Sequence, residues 1–273
     1  MIIDTHCHLD KDDYENLEEI INNMKDNIII ASGVDLKSSL NVIELCNKYD
    51  HIYGTIGYHP TELEDYTDED LKVIEDNLNN PKIVGIGEIG IDYHYGKEDK
   101  DLQIEVFKKQ LELARNYKLP VVIHSRDAAQ DTLEILKDYK DLKIDMHCFS
   151  YSKEIANELI KMGVKIGVGG VLTFKNSLKL KEIVNEIDLS NILLETDSPY
   201  LAPTPYRGQK NQPLYVKYVA EEIAKIKNIS VEEVEKITTL NAVSQFDLKL
   251  KKWYDFCIVK RWIIWIYICS KCF

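Results

Sequence analysis

The chain has 273 residues, 45% of them hydrophobic and 29% charged, proportions that exclude disordered and fibrous classes. Its net charge of −12 excludes a broad basic cradle for nucleic acid, so any phosphate contacts must be few and local. No Gly/Ser/Pro-rich linker or low-complexity block divides it. A single α/β barrel takes about 250 residues, so one domain is the simplest reading.

The first apolar run, Ile2–His6, is broken by Asp4 and His6, which the core of a signal peptide would not tolerate. It ends in His6-Cys7-His8. On a strand, residues i and i+2 face one side at roughly 7 Å, so His6 and His8 point together and suit a shared metal ion. Further strands are predicted at Ile28–Gly33, Ile52–His59, Ile83–Gly87, Val121–His124, Lys143–His147, Val164–Gly169 and Ile192–Glu195. Between them the apolar spacing predicts helices at Leu17–Lys25, Leu40–Tyr49, Glu69–Leu78, Leu102–Tyr117, Ala129–Tyr139, Lys153–Met162 and Leu178–Glu186. Alternation of this kind predicts a TIM-like (β/α)8 barrel over residues 1–248. A Pro/Gly-rich loop at Ala202–Gln212 precedes helices at Leu214–Lys227 and Ser230–Phe246, the second opened by a capping box at Ser230-Val231-Glu232-Glu233.

Residues 249–273 differ in character. Trp253, Trp262 and Trp265 fall here with Cys257, Cys269 and Cys272, and Trp262–Cys269 is wholly apolar. That run has 8 residues where a membrane span needs about 20, so no membrane partner is expected. The tail reads as an aberrant end that the barrel does not require. Six cysteines spread in this way do not make a disulfide framework, and a reducing cytoplasm is the expected setting.

Active sites of such barrels lie where the strands finish. Here the predicted strand ends carry His6 and His8, His59, Glu88, His124, His147, and Glu195-Thr196-Asp197. Five of the seven histidines in the chain are among them, which scattered core histidines would not do. His6, His8, Glu88, His124, His147 and Asp197 are the donors that a two-metal hydrolytic site needs, with Glu88 placed to bridge. Two divalent ions are expected there, Mg²⁺, Mn²⁺ or Zn²⁺, with His6, His8 and Asp197 on one and His124 and His147 on the other. Glu88 and Asp197 are the expected catalytic carboxylates. Asp4 and Glu195 share strand faces with His6 and Asp197 and are expected to be satisfied by ligand imidazoles or neighbouring backbone. His59, Arg126 and Arg207 are candidates for substrate contact.

These residues resemble the TatD-type metal-dependent deoxyribonucleases. The resemblance is carried by Asp4-Thr5-His6-Cys7-His8, Gly57-Tyr58-His59-Pro60, Gly87-Glu88-Ile89-Gly90-Ile91-Asp92-Tyr93, His124-Ser125-Arg126 and His147-Cys148-Phe149-Ser150. Glu195-Thr196-Asp197-Ser198-Pro199-Tyr200-Leu201 and Arg207-Gly208-Gln209-Lys210-Asn211 complete it, over roughly residues 1–246. It departs at Gln212-Pro213, where the family usually has Glu before the proline. The resemblance implies a TIM-like barrel and hydrolysis of DNA from single-stranded 3′ ends. The rival is hydrolysis of a small amide, ester or phosphotriester on the same metals, since fold does not fix substrate. A non-catalytic binding protein is a third reading, disfavoured because none of the six donors is missing.

Overall fold

The structure is a computed structural model that describes residues 1–250. Strands β1 (Ile3–Cys7), β2 (Ile28–Ser32), β3 (Ile52–Ile56), β4 (Ile83–Asp92), β5 (Val121–Arg126), β6 (Ile144–Met146), β7 (Lys165–Val168) and β8 (Ile192–Leu194) lie side by side in sequence order. Each runs parallel to the next. The chain just past β8 closes the ring on β1: the Asp197 N–H donates to the His6 carbonyl at 2.9 Å and the His8 N–H to the Ser198 carbonyl at 2.7 Å. Helices α1 (Leu17–Asn22), α2 (Leu36–Lys48), α3 (Asp68–Asn77), α4 (Lys100–Tyr117), α5 (Ala129–Leu136), α6 (Lys153–Lys161) and α7 (Leu178–Glu186) follow the first seven strands. Two helices, α8 (Val216–Lys227) and α9 (Val231–Gln245), follow β8. No helix among the described residues is long and apolar enough to cross a membrane.

Strand periodicity divides the interior in two. Ile29, Ala31, Ile52, Ile56, Val121, Ile123, Ile144, Met146, Ile192 and Leu194 belong to the large core that the helices cover. Their alternates Ile28, Ile30, Tyr53, Val84, Val122 and Leu193 form a second cluster inside the ring, closed off by Phe246, Leu248 and Leu250 after α9. Two residues further along several of these strands the inward positions turn polar, giving Ser32, Thr55, His124 and Glu195. The barrel is therefore apolar and plugged at the strand N-termini and polar at their C-termini.

Several boundaries differ from the predicted ones, for local reasons. α2 begins four residues before the predicted Leu40 because Asp35 and Ser38 form a reciprocal capping box: the Ser38 N–H donates to Asp35 Oδ1 at 2.7 Å and the Asp35 N–H to Ser38 Oγ at 3.0 Å. β3 stops at Ile56, since the following backbone pairs with a side chain instead of a strand. The Tyr58 N–H donates to Gln110 Oε1 at 2.8 Å, and Gln110 Nε2 donates to the Tyr58 carbonyl at 3.0 Å. β4 runs five residues past the predicted Gly87, and its end is held in the same manner by Gln103, which exchanges two 2.9 Å bonds with the Asp92 backbone. Gln103 and Gln110 lie two turns apart on α4, on one buried face. At Ser230 the cap bond to the Glu233 N–H is present at 3.1 Å. Leu248 and Leu250 are buried together across the predicted boundary after residue 248, and the rest of the 249–273 tail lies outside the described residues.

Candidate active site

Glu88 sits at the centre of the polar end. Its strand slips register against β5 between Ile86 and Ile89, which turns Glu88 into the ring. The slip needs glycine at 87, because a Cβ there would lie 2.7 Å from Val122 Cβ. The carboxylate faces two ways. Oε1 meets His147 Nε2 at 2.9 Å, His124 Nδ1 at 3.0 Å and His59 Nε2 at 3.5 Å. Oε2 meets His6 Nε2 at 3.3 Å and His8 Nε2 at 3.5 Å. Asp197 Oδ1 completes the second group, 3.5 Å from His8 Nε2 and 3.8 Å from His6 Nε2. Asp197 holds a left-handed backbone (φ 55), a conformation that costs a non-glycine residue energy and is maintained here by its N–H bond to His6.

Hydrogen bonds on the far side of each ring decide which nitrogen is free. His8 Nδ1 lies 3.0 Å from the Ser32 carbonyl and donates to it, which leaves Nε2 as the nitrogen that faces Glu88 and Asp197. His6 Nδ1 bonds Ser32 Oγ at 3.0 Å, which continues to Thr55 Oγ1 at 2.8 Å. For His59 the assignment reverses: its Nδ1 accepts the Thr61 N–H at 3.2 Å, so Nε2 carries the proton and points at Glu88. His124 is bracketed by carboxylates, Glu88 at Nδ1 and Asp92 Oδ2 at 2.9 Å from Nε2. Asp92 is 4% exposed and was not singled out from the sequence beyond its place in a motif.

Burial and charge oppose one another throughout. Burial would raise Glu88, but His147, His59, His6 and the His124 hydrogen bond overcome it and hold the carboxyl well below its ordinary value. Burial would likewise raise Asp197, and its hydrogen bond to His8 with the charges of His147 and His6 brings it down instead. His6 is pushed down to about 4 by burial and by its stacked neighbour His147, whose ring centroid is 3.9 Å away. His147 goes the other way against burial, raised to about 10 by the Glu88 carboxylate. The imidazoles thus hold the Glu88 and Asp197 carboxyls ionised in spite of their burial.

The remaining expected residues fall around this core. Asp4 accepts the Thr196 N–H at 2.9 Å and the Thr196 hydroxyl at 2.6 Å, so backbone and a hydroxyl satisfy it rather than an imidazole. Burial pushes Asp4 up to about 8 in spite of those bonds. Glu195 Oε1 accepts the Cys148 N–H at 2.6 Å and lies 3.7 Å from His147 Nδ1. It fits because β7 has glycine at 167, where a Cβ would stand 2.5 Å from Glu195 Oε2. Arg126 lines the cleft above the cluster, whose volume is about 710 Å³. Arg207 does not line that cleft; its guanidinium lies 4.4 Å over the Phe174 ring. Asp145, two residues before His147 and fully buried, was missed in the sequence although period-two spacing places it on the face of His147.

The donor set suits divalent cations. His6, His8 and Asp197 form one group whose ligand atoms all lie within 4.8 Å, and His6, Glu88 and His147 form another. A third joins His59, Glu88 and His124. His147 Nδ1 and Glu195 Oε2, buried without a hydrogen-bond partner among the described residues, lie on the side of the His147 ring away from Glu88, where Glu195 Oε1 is 3.7 Å from Nδ1.

Residues 3–247 match the family model described as TatD related DNase. The chain is 44% identical over 252 residues to the uncharacterized metal-dependent hydrolase YabD of Bacillus subtilis (strain 168), covering 90% of this chain and 99% of that one. It is 36% identical over 257 residues to the uncharacterized metal-dependent hydrolase YcfH of Escherichia coli (strain K12), covering 90% and 96%. Among solved structures, that of YJJV, a TatD homologue from Escherichia coli K12, superposes with a TM-score of 0.84 at 28% identity, covering 90% of this chain and 98% of that one.

Proposed function

The chain belongs to the TatD-related DNase family of metal-dependent hydrolases, and from that premise we propose that it releases nucleotides from single-stranded DNA 3′ ends by hydrolysing the terminal phosphodiester. The observation that carries the reading is the division of Glu88, one oxygen toward His6 and His8 and the other toward His124 and His147. In this reading His6, His8 and Asp197 would hold one divalent ion and His124 and His147 a second, with Glu88 shared between them. Bound there, the ions would activate water and polarise the phosphoryl oxygen.

The chain's own groups do the rest. Asp197, held ionised and 3.5 Å from His8 Nε2, accepts the proton of the attacking water. His59 Nε2, which carries a proton and faces the cluster, donates a hydrogen bond to the reacting phosphoryl group. Arg126 at the mouth supplies the one guanidinium that the described residues bring to the cleft lining, suited to a phosphate. A chain end reaches so recessed a cluster more readily than the middle of a duplex, which supports end-directed cleavage. The acidic chain and its dispersed cysteines support a cytoplasmic setting.

A second reading keeps the metals and changes the substrate. Asp10, Asp13 and Glu62 also line the cleft and would repel a polyanion, which favours a small neutral ester or amide. Purified protein given 3′-labelled single-stranded DNA with Mg²⁺, Mn²⁺ or Zn²⁺ separates the two. The expected result is release of mononucleotides that EDTA stops and Asp197→Asn abolishes. Amide or lactone hydrolysis with DNA left intact would overturn the substrate while leaving the cluster in place.

A further inference from the structure

Two carboxylates touch site histidines from separate walls of the cleft, Asp92 at the end of β4 through His124 and Asp197 after β8 through His8. Three residues beyond each stands an exposed tyrosine, Tyr95 after Asp92 and Tyr200 after Asp197. Tyr95 is 80% and Tyr200 59% exposed, and they are the two aromatics among the large exposed hydrophobic residues of the described chain. Both line the cleft. In a closed ring of eight strands taken in order, β4 and β8 lie four places apart, so the loops that carry Tyr95 and Tyr200 leave the ring from opposite sides.

Their mountings are specific. The Tyr200 ring stands 6.2 Å from the His8 ring, at 62° to it. Its turn is pinned from below by the fully buried Asn211, whose Nδ2 donates to the Tyr200 carbonyl at 2.7 Å and to the Thr196 carbonyl at 2.8 Å. Tyr95 stacks edgewise on His94 with centroids 5.0 Å apart and has the Arg126 guanidinium 5.9 Å from its ring. The His94 N–H is in turn held by Asp92 Oδ1 at 2.7 Å.

We propose that Tyr95 and Tyr200 are stacking subsites for the bases of the two nucleotides that flank the scissile phosphate, a proposal that rests on the DNA-hydrolase reading. A phosphodiester centred over Glu88 sends one nucleoside toward each of two opposite walls, and each of these walls carries an open aromatic face. With a net charge of −12 the chain has little phosphate attraction to offer, so affinity for a strand end must come from base faces. Stacking on tyrosine does not discriminate among bases, which suits an enzyme that shortens any strand.

The test uses the full-length, metal-loaded protein with Tyr95→Ala, Tyr200→Ala and the matching Phe variants. Substrates are a single-stranded oligodeoxynucleotide, the same strand abasic at its 3′-terminal nucleotide, and the same strand abasic at the penultimate one. Each Ala variant is expected to raise KM on the intact strand by about 5- to 100-fold with little change in kcat, and each Phe variant to restore it. The penalty should vanish on one abasic strand for Tyr95 and on the other for Tyr200. Binding is read separately from the fluorescence of two strands with phosphorothioate-protected 3′ ends, one with 2-aminopurine as the terminal base and one as the penultimate base, each quenched by the native protein and each losing its quenching in one Ala variant. Equal penalties on intact and abasic strands, or no quenching by the native protein, overturn the subsites while DNA hydrolysis stands. Should DNA resist hydrolysis, quenching at one position lost in each Ala variant still supports the subsites, and its absence still overturns them.

Discussion

At the scale of single residues, the site depends on one carboxylate having two faces and on what holds each imidazole. On the proposed two-ion arrangement, Glu88→Gln keeps the shape and removes the charge shared by five histidines, so bound metal, counted by elemental analysis, should fall below the native content while the circular dichroism spectrum stays unchanged. Two ions retained at native affinity would remove Glu88 as the bridge. Asp92→Asn tests a subtler role. The carboxylate orients His124 through Nε2, and losing such a partner weakens metal affinity by about 10- to 100-fold, which competition with a fluorescent chelator would measure. His6 and His8 were legible in the sequence because period two needs no tertiary knowledge. The same rule reaches Asp145 from His147, yet an acidic residue inside an apolar run passes easily for a strand edge. Asp92 was hidden for another reason: the glycines around Glu88 imitate a turn, whereas Gly87 serves close packing against Val122 and the strand continues. The tautomer that sets His59 apart from the other histidines depends on the Thr61 N–H, which no spacing rule shows.

At the scale of elements, α4 is more than a cover for the sheet. Gln103 and Gln110 project from one face and pair with strand-end backbone, which fixes Asp92 in β4 and the loop that carries His59. Gln110→Ala strands a buried N–H and a buried carbonyl of Tyr58 and should cost about 2–4 kcal/mol, read as a lower urea midpoint with an unchanged slope. A midpoint within experimental error of the native protein's would show that water replaces the amide there. The strand and helix order was legible because hydrophobic period and length together separate the two. Strand ends were not, since the ends of β3 and β4 are held by glutamine side chains of α4 that no strand periodicity shows. The start of α2 was readable in principle from Asp35 and Ser38, a cap written with serine in place of glutamate or glutamine.

At the scale of the whole molecule, the ring is stoppered at one end and reactive at the other. Phe246, 2% exposed, fills the ring beside Ile30, Tyr53 and Val122, so Phe246→Ala should cost about 3–5 kcal/mol. Calorimetry would show it as a lowered Tm in the metal-free and metal-loaded protein alike, and a loss confined to the loaded form would instead tie the plug to the site. The stopper also anchors residue 1: the Met1 carbonyl accepts the Thr239 hydroxyl at 3.1 Å, close to the cluster that holds Ile3 and Ile28. An affinity handle, a fused protein or a bead joined at residue 1 therefore departs from the back of the molecule. Held on a surface by that attachment, the protein would face outward, its mouth open to the bulk and to a strand arriving from it.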